Sequence, residues 1–373
     1  MILSVACESK PLDDAPNESA NSGGTAATAG GNNAGGANDA GAGSDSLGEP
    51  VLVQVLRRAH ISSDASDENF QRAVAELDFG SAPVARATLR VTLESPCFPF
   101  AGWAEQGVPD GQRWPEHCDA FDRTLSVALD EPEPMSSGAP GLELLRAITP
   151  FGGPLEVETD VTDVVNGLPG SHELALRIDT WSDADGLVSG SHGEWIASAE
   201  LRLWPGTPPR RVLQVLPLVR GSQTERDAEP VSFQVPAGVG SARIEYRVTG
   251  HGAVFSPGCL GPAEEFCQRT HELFLDGESL QELTPWRDCS DNCTLTANPS
   301  GFGPSQYCAQ NPCGDPNSAR APRANWCPGT QTEPFVLEHP ALRVAGEHEL
   351  TRSIPELSDG GVWTVSANYF AFE

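Results

Sequence analysis

Lysine is nearly missing from this chain, and Lys10 is the only one. Its 23 Lys and Arg stand against 52 Asp and Glu, giving a net charge of −29 and a pI near 4.5. No basic patch or arginine run is available to neutralise a phosphate backbone, which excludes nucleic acid as a partner. The acidity is spread out and argues for solubility rather than for one ligand. Long apolar runs are also missing: no stretch approaches the roughly 20 residues of a membrane-spanning helix. Methionine occurs only as Met1 and Met135, and the eight histidines are scattered. There is no HxH, no HExxH and no three-histidine cluster, so no metal is expected, and a copper site of clustered histidines with a methionine is disfavoured. GxSxG, P-loop and dinucleotide fingerprints are absent as well. The expectation is a protein without a cofactor.

What is present points to an exported β protein. Nine of the ten cysteines lie beyond residue 90, as disulfides in an oxidising compartment would require. Met1 to Cys7 resembles the last part of a bacterial lipoprotein signal, which makes Cys7 a candidate lipid anchor. Residues 8–49 are mostly Gly, Ala, Asn, Ser and Asp, too poor in apolar surface to offset their ordering entropy, and read as a tether. Beyond Pro50 short alternating strands dominate, punctuated by many of the 32 prolines and 38 glycines, and only Glu68 to Phe79 suggests a short helix. Many strands without crossover helices predict an all-β chain of two adjacent antiparallel jelly-roll sandwiches, residues 50–204 and 205–373. Trp204 to Pro209 is the expected boundary.

The most informative string is Cys118-Asp119-Ala120-Phe121-Asp122-Arg123. The alternating segments Ala87–Glu94 and Leu125–Leu129 flank it, each predicted to be a strand with one buried face. Asp122 is therefore placed at a strand mouth, on a connection that a Cys97–Cys118 bridge would fix. Asp119 is expected to matter far less. A second cluster follows Tyr246: His251, then Cys259, then Glu264-Glu265-Phe266-Cys267-Gln268-Arg269-Thr270-His271. A Cys259–Cys267 bridge would close a small loop and orient Glu265. Asp179 precedes Thr180-Trp181 at a strand end, where a tryptophan beside an acid suits a sugar platform or, equally, a ring of the core.

These pieces, together with Arg146-Ala147-Ile148-Thr149-Pro150-Phe151, Leu155 through Trp181, Gly206-Thr207-Pro208 and Arg323-Ala324-Asn325-Trp326-Cys327-Pro328-Gly329, resemble in order the peptide-N-glycosidase F family. The resemblance implies two jelly rolls with an active site in the cleft between them. It places the essential aspartate on Asp122, a glutamate on Glu265 with Glu264 one residue away, and a third acid on Asp179, where the family has glutamate. It maps the aromatic sugar-site positions to Phe121 and Trp181, and an arginine to Arg323, which precedes Trp326. Residues 286–320 depart from the family as an insertion, which leaves open whether Cys289 or Cys308 pairs with Cys327.

The activity so implied is hydrolysis of the side-chain amide of an N-glycosylated asparagine. Asp122 would be the base and Arg123 or Arg323 the stabiliser of negative charge. Glu265 and Asp179 would orient the first sugar or the peptide. The expected partner is an N-linked glycopeptide or glycoprotein, met outside the cytoplasm by a monomer. The competing expectation is a non-catalytic glycan-binding surface lipoprotein, supported by the shorter acid at Asp179.

Overall fold

The computed structural model describes residues 48–98, 107–133, 139–252, 259–261, 263–297, 305–311 and 316–373. Cys7, nearly all of the tether and Cys313 lie outside them. The first half contains β1 (Val51–Ser62), β2 (Arg72–Asp78), β3 (Val84–Glu94), β4 (Thr124–Leu129), β5 (Leu142–Ile148), β6 (Leu155–Asp160), β7 (Ser171–Ile178) and β8 (Glu194–Pro205). A short helix α1 (Thr162–Gly167) follows β6. The second half begins with β9 (Val212–Gln223), β10 (Val231–Val235), β11 (Ser241–Gly252), β12 (His271–Leu275) and β13 (Glu278–Leu283). It continues through β14 (Leu295–Ala297), β15 (Gln306–Cys308), the helix α2 (Pro316–Arg320), β16 (Thr330–Gln331), β17 (Phe335–Leu337), β18 (Gly346–Ser353) and β19 (Gly361–Phe372).

Each half is a jelly-roll sandwich of two sheets. The first pairs β1-β8-β3-β6 with β16-β5-β4-β7-β2, and the second pairs β10-β18-β12-β13 with β17-β11-β19-β9. Leu89, Leu125, Leu145, Leu176 and Trp195 fill the first core, and Ile244, Tyr246, Leu273, Trp363 and Tyr369 the second. Burying each aliphatic side chain contributes about 1.5–3 kcal/mol. One strand crosses over: β16, from the second half of the chain, pairs with β5 through Thr330↔Ile148 and Gln331↔Ala147.

The helix expected over Glu68–Phe79 is a strand instead. Ala73, Leu77 and Phe79 are buried while Val74, Glu76 and Asp78 are exposed, and β2 pairs with β7 from Arg72↔Arg177 to Asp78↔Ser171. Ala, Glu and Leu favour helix locally, but the open edge of β7 offers a full ladder of hydrogen bonds that overrides propensity.

The expectation of one exposed face for Leu125–Leu129 also fails. Residues 125–129 of β4 and all of β5 are buried on both faces, because the outer face of their sheet packs against the second half. Glu143 and Arg146, three apart on β5, would point to opposite faces of a regular strand. A register shift opposite Val127 and Ala128 inserts an extra residue and turns both side chains into the seam. There Glu143 meets Arg146 at 2.8 Å and Arg247 at 3.7 Å, and Ser366 donates to it. Arg146 also donates to the Thr364 carbonyl at 2.7 Å, and Asn368 Nδ2 donates to the Glu143 carbonyl at 2.8 Å. The seam is thus polar and charge-paired.

Candidate active site

The loop leading into β4 is fixed before Asp122 is reached. Cys97 and Cys118 form a disulfide and, with Trp114, Ala120 and Tyr307, make a small core of their own. Tyr307 belongs to the 286–320 insertion, whose hairpin of β14 and β15 is closed by Cys293–Cys308, so the insertion braces this loop. At the other end, Arg123 N donates to Thr149 Oγ1 at 2.8 Å and Thr149 N donates to the Arg123 carbonyl at 2.9 Å.

Asp119 is the buried anchor of the hexapeptide. It is 0% exposed and accepts Arg123 Nε at 2.7 Å and Nη2 at 2.8 Å as a bidentate pair. Thr180 Oγ1 at 2.6 Å, Trp195 Nε1 at 3.2 Å and Phe121 N at 3.3 Å also donate to it. Gly193 permits the fit, since a Cβ there would lie 3.1 Å from Asp119 Cβ. The Arg123 guanidinium lies 4.9 Å from the Phe121 ring and 5.3 Å from the Trp181 ring, and the two rings lie 5.3 Å apart. Phe121 is buried, whereas Trp181 is 40% exposed and presents an aromatic face to solvent.

The second half brings Glu265 and Arg323. A 3-10 turn over Glu264–Phe266, closed by Cys259–Cys267, turns Glu264 inward and leaves Glu265 part-exposed. Glu264 is fully buried against Arg269, at 2.8 Å, and Trp363 Nε1, at 3.2 Å. Burial would raise its pKa, but hydrogen bonds from Arg269, Ser358 and Trp363 together hold it below the ordinary value. This ion pair faces the core and cannot reach a ligand.

Arg323 is held between the Phe266 ring at 5.1 Å and the Trp326 ring at 4.7 Å. Its Nη1 donates to the carbonyls of Ser318 at 2.7 Å and Ala321 at 3.0 Å. The buried Nε makes no hydrogen bond and lies 3.5 Å from Glu265 Oε1. Trp326 is 1% exposed, and its Nε1 donates to the Gly250 carbonyl at 2.9 Å. It forms the floor under Arg323 and offers no surface to a sugar. His251 stacks on Trp326 at 5.6 Å and bonds Thr249 Oγ1 at 2.8 Å. Burial and then Arg146 push its pKa down to about 3, so the ring is neutral at working pH.

Asp122, Glu265 and Arg323 thus converge from the two halves. Burial raises the Asp122 pKa, against the pull of Arg323 and Arg123. Burial, then the charge of Asp122, push Glu265 up to about 7, with Arg323 opposing. Two carboxylates in this relation release their protons in two separate steps, and below about pH 7 the pair retains one. Asp179 lies at the end of β7, after Ile178. It is solvent-accessible yet set among Arg177, Arg123, Arg220 and Arg146, with burial still raising its pKa. Arg123 acts on both Asp179 and Asp122.

The raised Glu265 pKa has a signed consequence for stability. The folded state favours the protonated acid, so this contribution is complete below the unfolded pKa near 4.3 and is lost as pH rises through about 7. Glu265→Gln is therefore expected to melt higher than the wild type at pH 8, with the gap closing by pH 4. Equal melting temperatures at pH 8 would show that Glu265 ionises without cost.

The pairing left open in the sequence is resolved in favour of Cys289–Cys327. Among the described residues no group of three His, Cys, Asp or Glu side chains converges as a metal would require. Sequence reasoning passed over Thr180 and Trp195, the partners of Asp119, because an isolated threonine and tryptophan carry no motif.

Residues 221–370 match the family model described as Peptide-N-glycosidase F, C terminal. Among solved structures, the chain is similar to a peptide-N(4)-(N-acetyl-beta-D-glucosaminyl) asparagine amidase, with 18% identity, 87% of this chain and 96% of that chain covered, and a TM-score of 0.60. PNGase F from Flavobacterium meningosepticum, described as a glycosylasparaginase, gives 18% identity, the same coverages and a TM-score of 0.61. PNGF-II gives 19% identity over 87% of this chain and 66% of that chain, with a TM-score of 0.61. No curated protein matches the sequence. The chain shares the fold of these structures and, over residues 221–370, matches the model of the C-terminal domain of peptide-N-glycosidase F.

Proposed function

We propose that the chain is an amidase that hydrolyses the side-chain amide of N-glycosylated asparagine, leaving aspartate in the peptide and releasing the glycan as a glycosylamine. The observation that carries this reading is the set of part-buried Asp122 and Glu265 with buried Arg323, drawn from two halves of the chain and lying next to the exposed ring of Trp181 through Phe121. Asp122 takes a proton from water as the water oxygen attacks the amide carbon. The Nε–H of Arg323, which lies 3.5 Å from Glu265 Oε1, would stabilise the negative charge that develops on the carbonyl oxygen. Collapse breaks the carbon–nitrogen bond, and the departing nitrogen takes a proton from the carboxylate pair. Glu265, protonated below about pH 7, is the donor and also holds the substrate by hydrogen bonding. Trp181 supports the first sugar ring.

A second reading, glycan binding without cleavage, draws on Asp179, where the resembling family has glutamate and where Arg177, Arg123, Arg220 and Arg146 act on the carboxylate. The four disulfides support export to an oxidising compartment, and Cys7 remains the candidate anchor. The test is incubation with a glycopeptide in water labelled with heavy oxygen, with EDTA present in a parallel sample. Mass analysis should show asparagine converted to aspartate carrying one labelled oxygen, undiminished by the chelator. Intact glycopeptide that nonetheless binds the protein would favour the second reading.

A further inference from the structure

Asp119 ties together three elements that a water-attack site must hold in register. It lies three residues before Asp122 and grips Arg123 immediately after it. Through Thr180 it grips the residue between Asp179 and Trp181 at the end of β7. Through Trp195 it holds the start of β8, and Gly193 and Gly190 let that segment press against the loop. Ser189 extends the seam, donating to the Cys118 carbonyl at 3.2 Å and accepting from Ala120 N at 3.0 Å. Fully buried, this carboxylate touches no cleft and cannot meet a substrate.

Resting on the reading of Asp122 as the base, we infer that Asp119 is the positioning residue of the site, setting Asp122, Asp179 and Trp181 relative to one another and balancing the charge of Arg123. A structural anchor alone would affect stability. A positioning residue also sets the field at Asp122, which is faced by Arg123 and Asp119 from its own loop and by Glu265 and Arg323 from the second half. Removing the negative charge of Asp119 leaves Arg123 uncompensated, so Asp122 ionises at lower pH.

Asp119→Asn is therefore expected to lower kcat at least about tenfold and to shift the acidic limb of the kcat/KM profile downward on the order of 0.5–1 pH unit. Thr180→Val keeps the charge pair and removes the hydroxyl that links the end of β7 to Asp119 and to the Gly193 carbonyl. It should raise KM roughly three- to tenfold without moving the pH profile. Hydrogen exchange gives a readout that needs no substrate: residues 119–124 and 179–182 should loosen together in Asp119→Asn, or in Thr180→Val if the first variant does not fold. An unmoved acidic limb in folded Asp119→Asn, or exchange in which the two segments respond independently, would overturn the inference. A wild type that cleaves no glycopeptide would instead count against the amidase reading, while the exchange result would still decide the role of Asp119.

Discussion

Asp122→Asn is expected to lower the turnover number for glycopeptide cleavage by at least about 100-fold while leaving the fold intact. The amide is nearly isosteric with the carboxylate and can still hydrogen-bond, but it cannot take a proton from water. General-base assistance contributes about 10²–10⁴-fold. Burial already disfavours the Asp122 carboxylate, so exchange for a neutral group costs no stability, and the melting temperature should be unchanged or slightly higher. Asp110→Asn is the matched control: it removes the same charge from an exposed position on the β3–β4 connection and should cleave normally. Asp119→Asn cannot serve as that control, since its carboxylate is the buried partner of Arg123. The measurement is kcat by mass detection of the aspartate product, with KM followed alongside. A turnover within a fewfold of the wild type would remove Asp122 as the base and the proposed mechanism with it.

Period-two alternation made β3, β7, β11 and β19 legible, because their apolar residues recur at every second position, even where β19 is buried on both faces from Val365 to Phe372. It misled at Glu68–Phe79, where local composition favours helix and only the free edge of β7 dictates a strand. It was silent on β5, whose bulge depends on its pairing with β4 and not on any residue that marks it. The same division holds at the candidate site. The string around Asp122 stands out in the sequence, but which of its two acids faces inward does not. That choice is made by Thr180 and Trp195, 61 and 76 residues away. Glu264 and Glu265 pose the same problem in the Cys259–Cys267 loop, where a single 3-10 turn decides which becomes a core ion pair and which shares a proton with Asp122.

The convergence of the two halves rests on Glu143, and Glu143→Gln should be the most destabilising single change on the seam. The side chain is 2% exposed and stands against Arg146, Arg247 and Arg220, which outweigh burial and hold its pKa down at about 2. Glutamine keeps the shape and some hydrogen bonds but leaves buried guanidinium charge uncompensated. Breaking a buried ion pair from one side costs about 3–5 kcal/mol, which for a chain of this size corresponds to a fall on the order of 10 °C in melting temperature. The exposed Arg58–Glu94 pair gives the comparison: Glu94→Gln should change stability by less than about 1 kcal/mol. The sign of the pH dependence follows from the depressed pKa. Glu143 contributes its stability above the unfolded value near 4.3 and loses it as pH falls through about 2, so wild type and Glu143→Gln should converge on acidification. Because Asp122 belongs to the first half and Glu265 and Arg323 to the second, loosening this seam should also lower kcat below the melting transition. Equal melting temperatures for Glu143→Gln and the wild type at pH 7 would show that the arginines find other partners, and that packing alone holds the two sandwiches in register.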